Sequence, residues 1–253
     1  MWDWFINFLY VTLEQLQGLL GDWGLAIIVL TFIIRLILTP LTVKSTKSSA
    51  RMQALQPQLK AIQERYADDP EAQASAMREF YANNKFNPLG GCLPVLLQMP
   101  IFFALFAVLR DKLPQEAHFY GIIDSLAQSV SGAIATSGIS GAAIFIALDV
   151  LFGILTLVPM LLNAKNTPAE QKQQMMIMGV VMSLMMVWVG WGIPAGVLLY
   201  YDTSAIWGVV QQVFITQKVM EDAKAAEEER LANAPIDVDV VRRERKPRPR
   251  KKN

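Results

Sequence analysis

Histidine and cysteine are almost missing from this 253-residue chain. One cysteine, Cys92, excludes an intramolecular disulfide framework, and one histidine, His118, leaves no cluster with metal-ligand spacing. No Gly-rich phosphate loop occurs, and no nucleophile has a histidine or thiol partner at hand. The chain is therefore not expected to be an enzyme, and no cofactor is expected. Lysine and arginine are absent before Arg35. The first residues, Met1 to Phe5, lack a basic region and no small-residue cleavage site follows, so the first apolar span is expected to serve as the insertion signal.

What is present is apolar surface sorted into long runs. Hydrophobic residues make up 53% of the chain, and uncharged stretches alternate with strongly charged ones, the profile of a polytopic membrane protein. The first run, Leu25 to Val43, carries Arg35 near its middle. A charge at that depth costs about 2.5–3.5 kcal/mol on insertion scales, and a guanidinium cannot shed its proton to escape. Thr31 and Thr39 lie four residues either side, so a helix puts all three on one face.

The expected fold is all-α, with five spans at about Leu25–Val43, Cys92–Leu109, Ala142–Leu162, Met175–Trp191 and Ala195–Ile215. Residues 2–20 place Phe5, Leu9, Leu13, Leu16 and Leu20 opposite Asp3, Asn7, Glu14 and Gln17. That pattern predicts an amphipathic interfacial helix anchored by Trp2 and Trp4. Residues 45–86 read as a helical hairpin broken at Asp68-Asp69-Pro70, with Pro70 suited to a first turn. A short interfacial helix is expected at 121–130. Residues 1–218 form the expected membrane core. The remainder, 219–253, is a charged tail, helical to about Ala232 and then too basic and Pro-rich to pack. The segments assigned to the cytoplasm hold twenty Lys and Arg; the outer ones hold only Arg110 and Lys112. This asymmetry predicts an N-terminus outside and a C-terminus inside.

Polar groups recur at comparable depth in three spans. The first supplies Thr31, Arg35 and Thr39, the second Gln98, and the fifth Tyr200, Ser204, Trp207 and Gln211, which share one helical face. Turned toward one another, they would make a hydrophilic groove around one positive charge. Plainer readings stay open. Arg35 could pair with Asp149 or Asp202. Gln98 could satisfy backbone freed by Pro94 and Pro100, and Trp207 could only pack. The six methionines of the fourth span could be lipid-facing filler or an adaptable surface for varied helices. A small-solute transporter and a lipid scramblase are rival functions for a polar groove in a membrane.

The run NPLGGCLPVLLQMPIF over 87–102 closely resembles the signature of the YidC family of membrane protein insertases. So do TFIIRLILTPL over 31–41 and PAGVLLYY over 194–201. The resemblance covers residues 2–218 in order and looks like the compact bacterial form. It implies a plasma-membrane protein that inserts and helps fold nascent membrane proteins, alone or beside the Sec translocon, with no small-molecule substrate. It implies that Arg35 sits in a groove open to cytoplasm and lipid and closed outside. Gln98 and Trp207 match groove-lining positions, and Thr31 and Tyr201 match positions that touch a passing substrate segment. Asp202, Thr203 and Ala205 depart from the family's usual residues. The basic tail has two readings, contact with anionic lipid or with ribosomal RNA; the second fits co-translational insertion on the ribosome.

Overall fold

The protein is described here from a computed structural model covering residues 3–84, 93–164 and 169–233. The expected turn at 87–91, Trp2, Cys92, Lys165, Pro168 and the basic tail lie outside these residues. The described residues form nine α-helices and no β-strand. They are α1 (Asp3–Leu20), α2 (Trp23–Arg65), α3 (Pro70–Asn83), α4 (Leu93–Ala107), α5 (Val130–Gly141), α6 (Ala143–Ala164), α7 (Ala169–Gly190), α8 (Ala195–Gln211) and α9 (Gln217–Ala232). Five-residue π-helical stretches extend α4 (Val108–Lys112) and join α8 to α9 (Gln212–Thr216). Three helical segments are long and apolar enough to cross a membrane, in α2, α6 and α7.

The long helix α2 departs from expectation. Its 43 residues run without a break through Pro40 and Pro57, giving a rod about 65 Å long. The first span and the first arm of the hairpin are one helix, not two elements meeting at Val43. Lys44 marks where the apolar stretch ends, which is a change of surroundings and no helix stop. Threonine hydroxyls bind the carbonyls four residues back along this stretch: Thr39 to Arg35, Thr42 to Leu38 and Thr46 to Thr42. At the far end Asp69 accepts from the Glu71 and Ala72 amides, and Pro70 opens α3. The side chain of Gln73 donates back to the Gln63 carbonyl.

One further expectation is corrected. The helix expected at 121–130 is a set of turns, with Tyr120 and Gly121 at positive φ, and α5 begins only after Ser129. The Ser129 side chain accepts from the Gly132 amide and so fixes that start. The segment after Lys218 is helical to Ala232, as expected, and it is packed. Glu227 of α9 is 6% exposed and lies between Arg51 of α2, 3.2 Å away, and Arg230, 2.6 Å away. Arg51 and Arg230 also reach the Asn84 carbonyl and side chain, so α9 is pinned to α2 and to the end of α3.

The core lies toward the α2 N-terminus. Leu9 and Leu13 of α1 pack there with Ala26, Ile27 and Leu30 of α2, Leu105 of α4, and Val197 and Leu199 of α8. The connector after α4 folds over this end and buries Leu113, Ala117, Ile123 and Leu126. Its backbone grips the bundle through the amides of Ala195 and Gly196, which donate to Gln128 and Leu126. Asp22 ties the connector to α2. It is 1% exposed, and its oxygens accept from the Leu25 and Tyr120 amides, each at 2.8 Å. Replacing Asp22 with Ala uncaps α2 and strands the Tyr120 amide, at a cost of about 2–3 kcal/mol. Thermal unfolding in detergent should show that loss, and Asp22→Asn should show a smaller one.

Candidate functional site

Below the core, α2, α4 and α8 diverge and leave a cavity of about 390 Å³. Arg35, Leu38, Leu41 and Thr42 line it from α2; Leu97, Gln98, Met99 and Phe102 line it from α4; Tyr200, Tyr201, Ser204 and Ala205 line it from α8. The α2 residues recur at three- and four-residue spacing, so one helical face supplies them. The walls are mostly apolar, and the polar groups form a chain across the three helices. The Arg35 Nε donates to Ser204 Oγ at 2.8 Å, and the Arg35 Nη2 donates to the same oxygen. Gln98 Nε2 donates to the Tyr200 hydroxyl at 2.8 Å.

Among the described residues no carboxylate pairs with Arg35. Both oxygens of Asp149 and of Asp202 lack any hydrogen-bond partner, so the ion pair considered from sequence is not formed. The guanidinium is held by a neutral hydroxyl and keeps its full charge facing the cavity. A fixed cation of this kind attracts carboxylates or phosphates from the aqueous side and binds them bidentately. Tyr201 is fixed by aromatic contacts, its ring centroid 5.3 Å from Phe102 of α4 and 5.1 Å from Phe152 of α6. It forms part of the wall that joins three helices.

Five of the nine residues picked from sequence therefore line the cavity: Arg35, Gln98, Tyr200, Tyr201 and Ser204. The other four do not. Thr31 is 2% exposed in the core, and its hydroxyl binds the Ile27 carbonyl. Thr39 spends its hydroxyl on the Arg35 carbonyl. Trp207 packs edge-on against Phe32 at 5.5 Å and donates to Gln211 Oε1 at 2.9 Å, so these two satisfy each other on another part of the bundle. They share the helical face of Tyr200 and Ser204 but lie further along α8, beyond the last lining residue, Ala205. Sequence reasoning missed Leu38, Leu41, Thr42, Leu97, Met99, Phe102 and Ala205. The signal was the spacing from Arg35 and Gln98, but apolar residues in a span carry no mark that separates cavity from lipid.

The Arg35–Ser204 contact has a measurable energy. In a double-mutant cycle with Arg35→Met and Ser204→Ala, the coupling should be about 1–2 kcal/mol. Unfolding in detergent provides the reading, and a coupling near zero would mean the contact contributes nothing.

The chain has clear relatives. The sequence profile described as 60Kd inner membrane protein matches residues 15–223. A protein of Ectopseudomonas mendocina named "Membrane protein insertase YidC" is 36% identical over 226 residues, covering 88% of this chain and 36% of that protein. Its namesake in Neisseria meningitidis is 36% identical over 217 residues, covering 85% of this chain and 37% of the relative. The chain thus spans little more than a third of the length of these curated relatives. A solved structure described as an active YidC insertase with its first transmembrane domain resolved has a TM-score of 0.59 and 29% identity. The match covers 85% of this chain and 47% of that one. On the extent of the profile match, with the shared fold behind it, the chain belongs to the 60Kd inner membrane protein family, that of the YidC membrane protein insertases.

Proposed function

We propose that this protein is a membrane protein insertase and chaperone whose working part is the groove around Arg35. The observation that carries the reading is one free guanidinium, held by Ser204, in a cavity that the hydrophobic core seals at one end. On this reading α2, α4, α6, α7 and α8 are five spans, with the N-terminus outside and the C-terminus in the cytoplasm. The twenty-to-two distribution of Lys and Arg supports that orientation. The sealed end then faces outward. The α2–α3 pair and α9 project into the cytoplasm, and α1 lies along the outer interface with Trp4 exposed. The bacterial plasma membrane is the matching location.

The physics of transfer follows from this placement. A substrate's outer tail must carry polar and acidic groups across about 30 Å of hydrocarbon. A wet groove that penetrates partway shortens the dry distance, and Arg35 draws acidic groups into it. The apolar segment of the substrate leaves sideways into lipid, driven by the hydrophobic effect. Gln98 and Tyr200 offer the passing backbone exchangeable hydrogen bonds, and Tyr201 presents an aromatic wall. Nascent membrane proteins are the substrates. The Sec translocon, the ribosome and anionic lipids are the proposed partners, the last two through the basic tail.

The test is insertion of a single-span substrate with an acidic outer tail, in cells depleted of their own insertase. This chain should restore insertion, Arg35→Lys should retain it, and Arg35→Ala should lower it by on the order of tenfold, the lower end of electrostatic attraction effects. Failure of the wild-type chain, while expressed and folded, would overturn the reading.

A further inference from the structure

Asp149 of α6 and Asp202 of α8 stand apart from every polar contact described above. They are 1% and 2% exposed, and none of their four carboxylate oxygens has a hydrogen-bond partner. Asp149 is seven residues into α6 and Asp202 eight into α8, so each lies roughly 10 Å from the start of its helix. The two starts lie at the same end of the bundle, because Asp149 packs against Gly190, the last residue of α7, and α8 begins just beyond it at Ala195. Phe152 and Tyr201, near neighbours of the two aspartates, bring α6 and α8 into ring contact at 5.1 Å.

The third wall is Gly190, the last residue of α7. A Cβ there would overlap Asp149 Oδ1, and would lie 3.5 Å from Leu198 of α8. The carboxyl of Asp149 thus occupies the space a side chain on α7 would fill. It sits against a helix C-terminus, which carries the negative end of the helix dipole. Asp149 and the end of α7 thus bring two sources of negative potential together, and among the described residues no basic side chain bonds to either aspartate. Arg35 of α2 is committed to Ser204. The segment α5 has no ionisable residue, and α7 has only Glu170 and Lys172, near its opposite end. Within α8 the other titratable groups are Tyr200 and Tyr201, and Arg110, Asp111 and Lys112 of the π-helical stretch are exposed.

Two buried, unpaired carboxylates would cost far more than the fold can supply. A carboxyl buried without a partner resolves this by holding its proton. A proton needs no further ligands, whereas a metal ion would need several more oxygens. Among the described residues no group of three or more acidic, histidine or cysteine side chains could hold one. We propose that Asp149 and Asp202 form a proton-binding site at the junction of α6, α7 and α8, holding at least one proton at neutral pH. A protonated Asp149 can donate to the carbonyl end of α7, and so the proton binds the three helices together. Losing it forces the helices apart or draws in water, two residues along α8 from the Ser204 that holds Arg35.

Infrared spectroscopy of the full chain in lipid nanodiscs tests this, because a protonated carboxylic acid has its own carbonyl band. Wild type should show that band at neutral pH, when exposed carboxyls are ionised. The band should fade only in alkali and be missing from the Asp149→Asn, Asp202→Asn double variant. The pH dependence of melting gives a second reading. A carboxyl that prefers its proton in the folded state contributes stability at low pH and loses it as pH rises. Between about pH 5 and about pH 9, the melting temperature of wild type should therefore fall relative to the double variant. Absence of the band from wild type at neutral pH overturns the proposal, even if no variant folds. A melting temperature raised by sodium over choline, with no acid band, overturns it in favour of a metal ion.

Discussion

A guanidinium in the middle of an apolar helix has no way to become neutral, and the rest of this structure is arranged around that fact. Arg35 cannot face lipid, and no carboxylate reaches it. The bundle answers with a cavity into which α2, α4 and α8 all turn polar groups, and with Ser204 to hold the guanidinium in place. Because Ser204 is neutral, the charge stays available. A buried salt bridge in its place would have solved the same desolvation problem and left nothing to attract a ligand.

A polar cavity in a membrane is safe only if it does not run through. Here the seal is hydrophobic and lies on the α2 N-terminal side. Ile27 and Leu30 of α2 meet Leu105 of α4 and Val197 and Leu199 of α8, and the connector over 113–129 covers the end. Asp22 locks that cover to the helix that carries Arg35. Large apolar side chains remain on the outside of α6 and α7, among them Ile154, Val181, Leu184 and Trp188. That exterior suits lipid, and the α6–α7 pair packs through small residues, with Ser183 donating to the Gly153 carbonyl at 2.6 Å.

Much of this was legible in the chain itself, and the misses have definite causes. Apolar run lengths located the helices, since nothing else keeps backbone groups satisfied in hydrocarbon. The polar residues Arg35, Gln98, Tyr200 and Ser204 were conspicuous among apolar neighbours, and they do converge on one cavity. The change of composition at Lys44 did not show that the apolar run and the polar stretch after it form one continuous helix. Composition misled over 121–141, where Gly and Ser obscured the helix that Ser129 starts. Thr31 and Thr39 looked like groove residues, yet a threonine in a helix can return its hydroxyl to its own backbone. Asp149 and Asp202 looked like partners for Arg35. Only the packing shows that Asp149 is set against Gly190 of α7 and that neither carboxyl bonds to Arg35.

The claim at the centre is a wet cavity reached from one side only. Its most direct measurement places single cysteines at Ala205 and Leu38 of the cavity wall and at Val181 of the outer surface, in a background with Cys92→Ala. A membrane-impermeant thiol reagent is then applied to each side of sealed vesicles. Ala205 is eleven residues into α8, roughly 15 Å from its N-terminal end. The account predicts labelling at Ala205 and Leu38 from the cytoplasmic side, none from the outer side, and none at Val181 from either. Labelling of the cavity positions from outside, or from neither side, would contradict it.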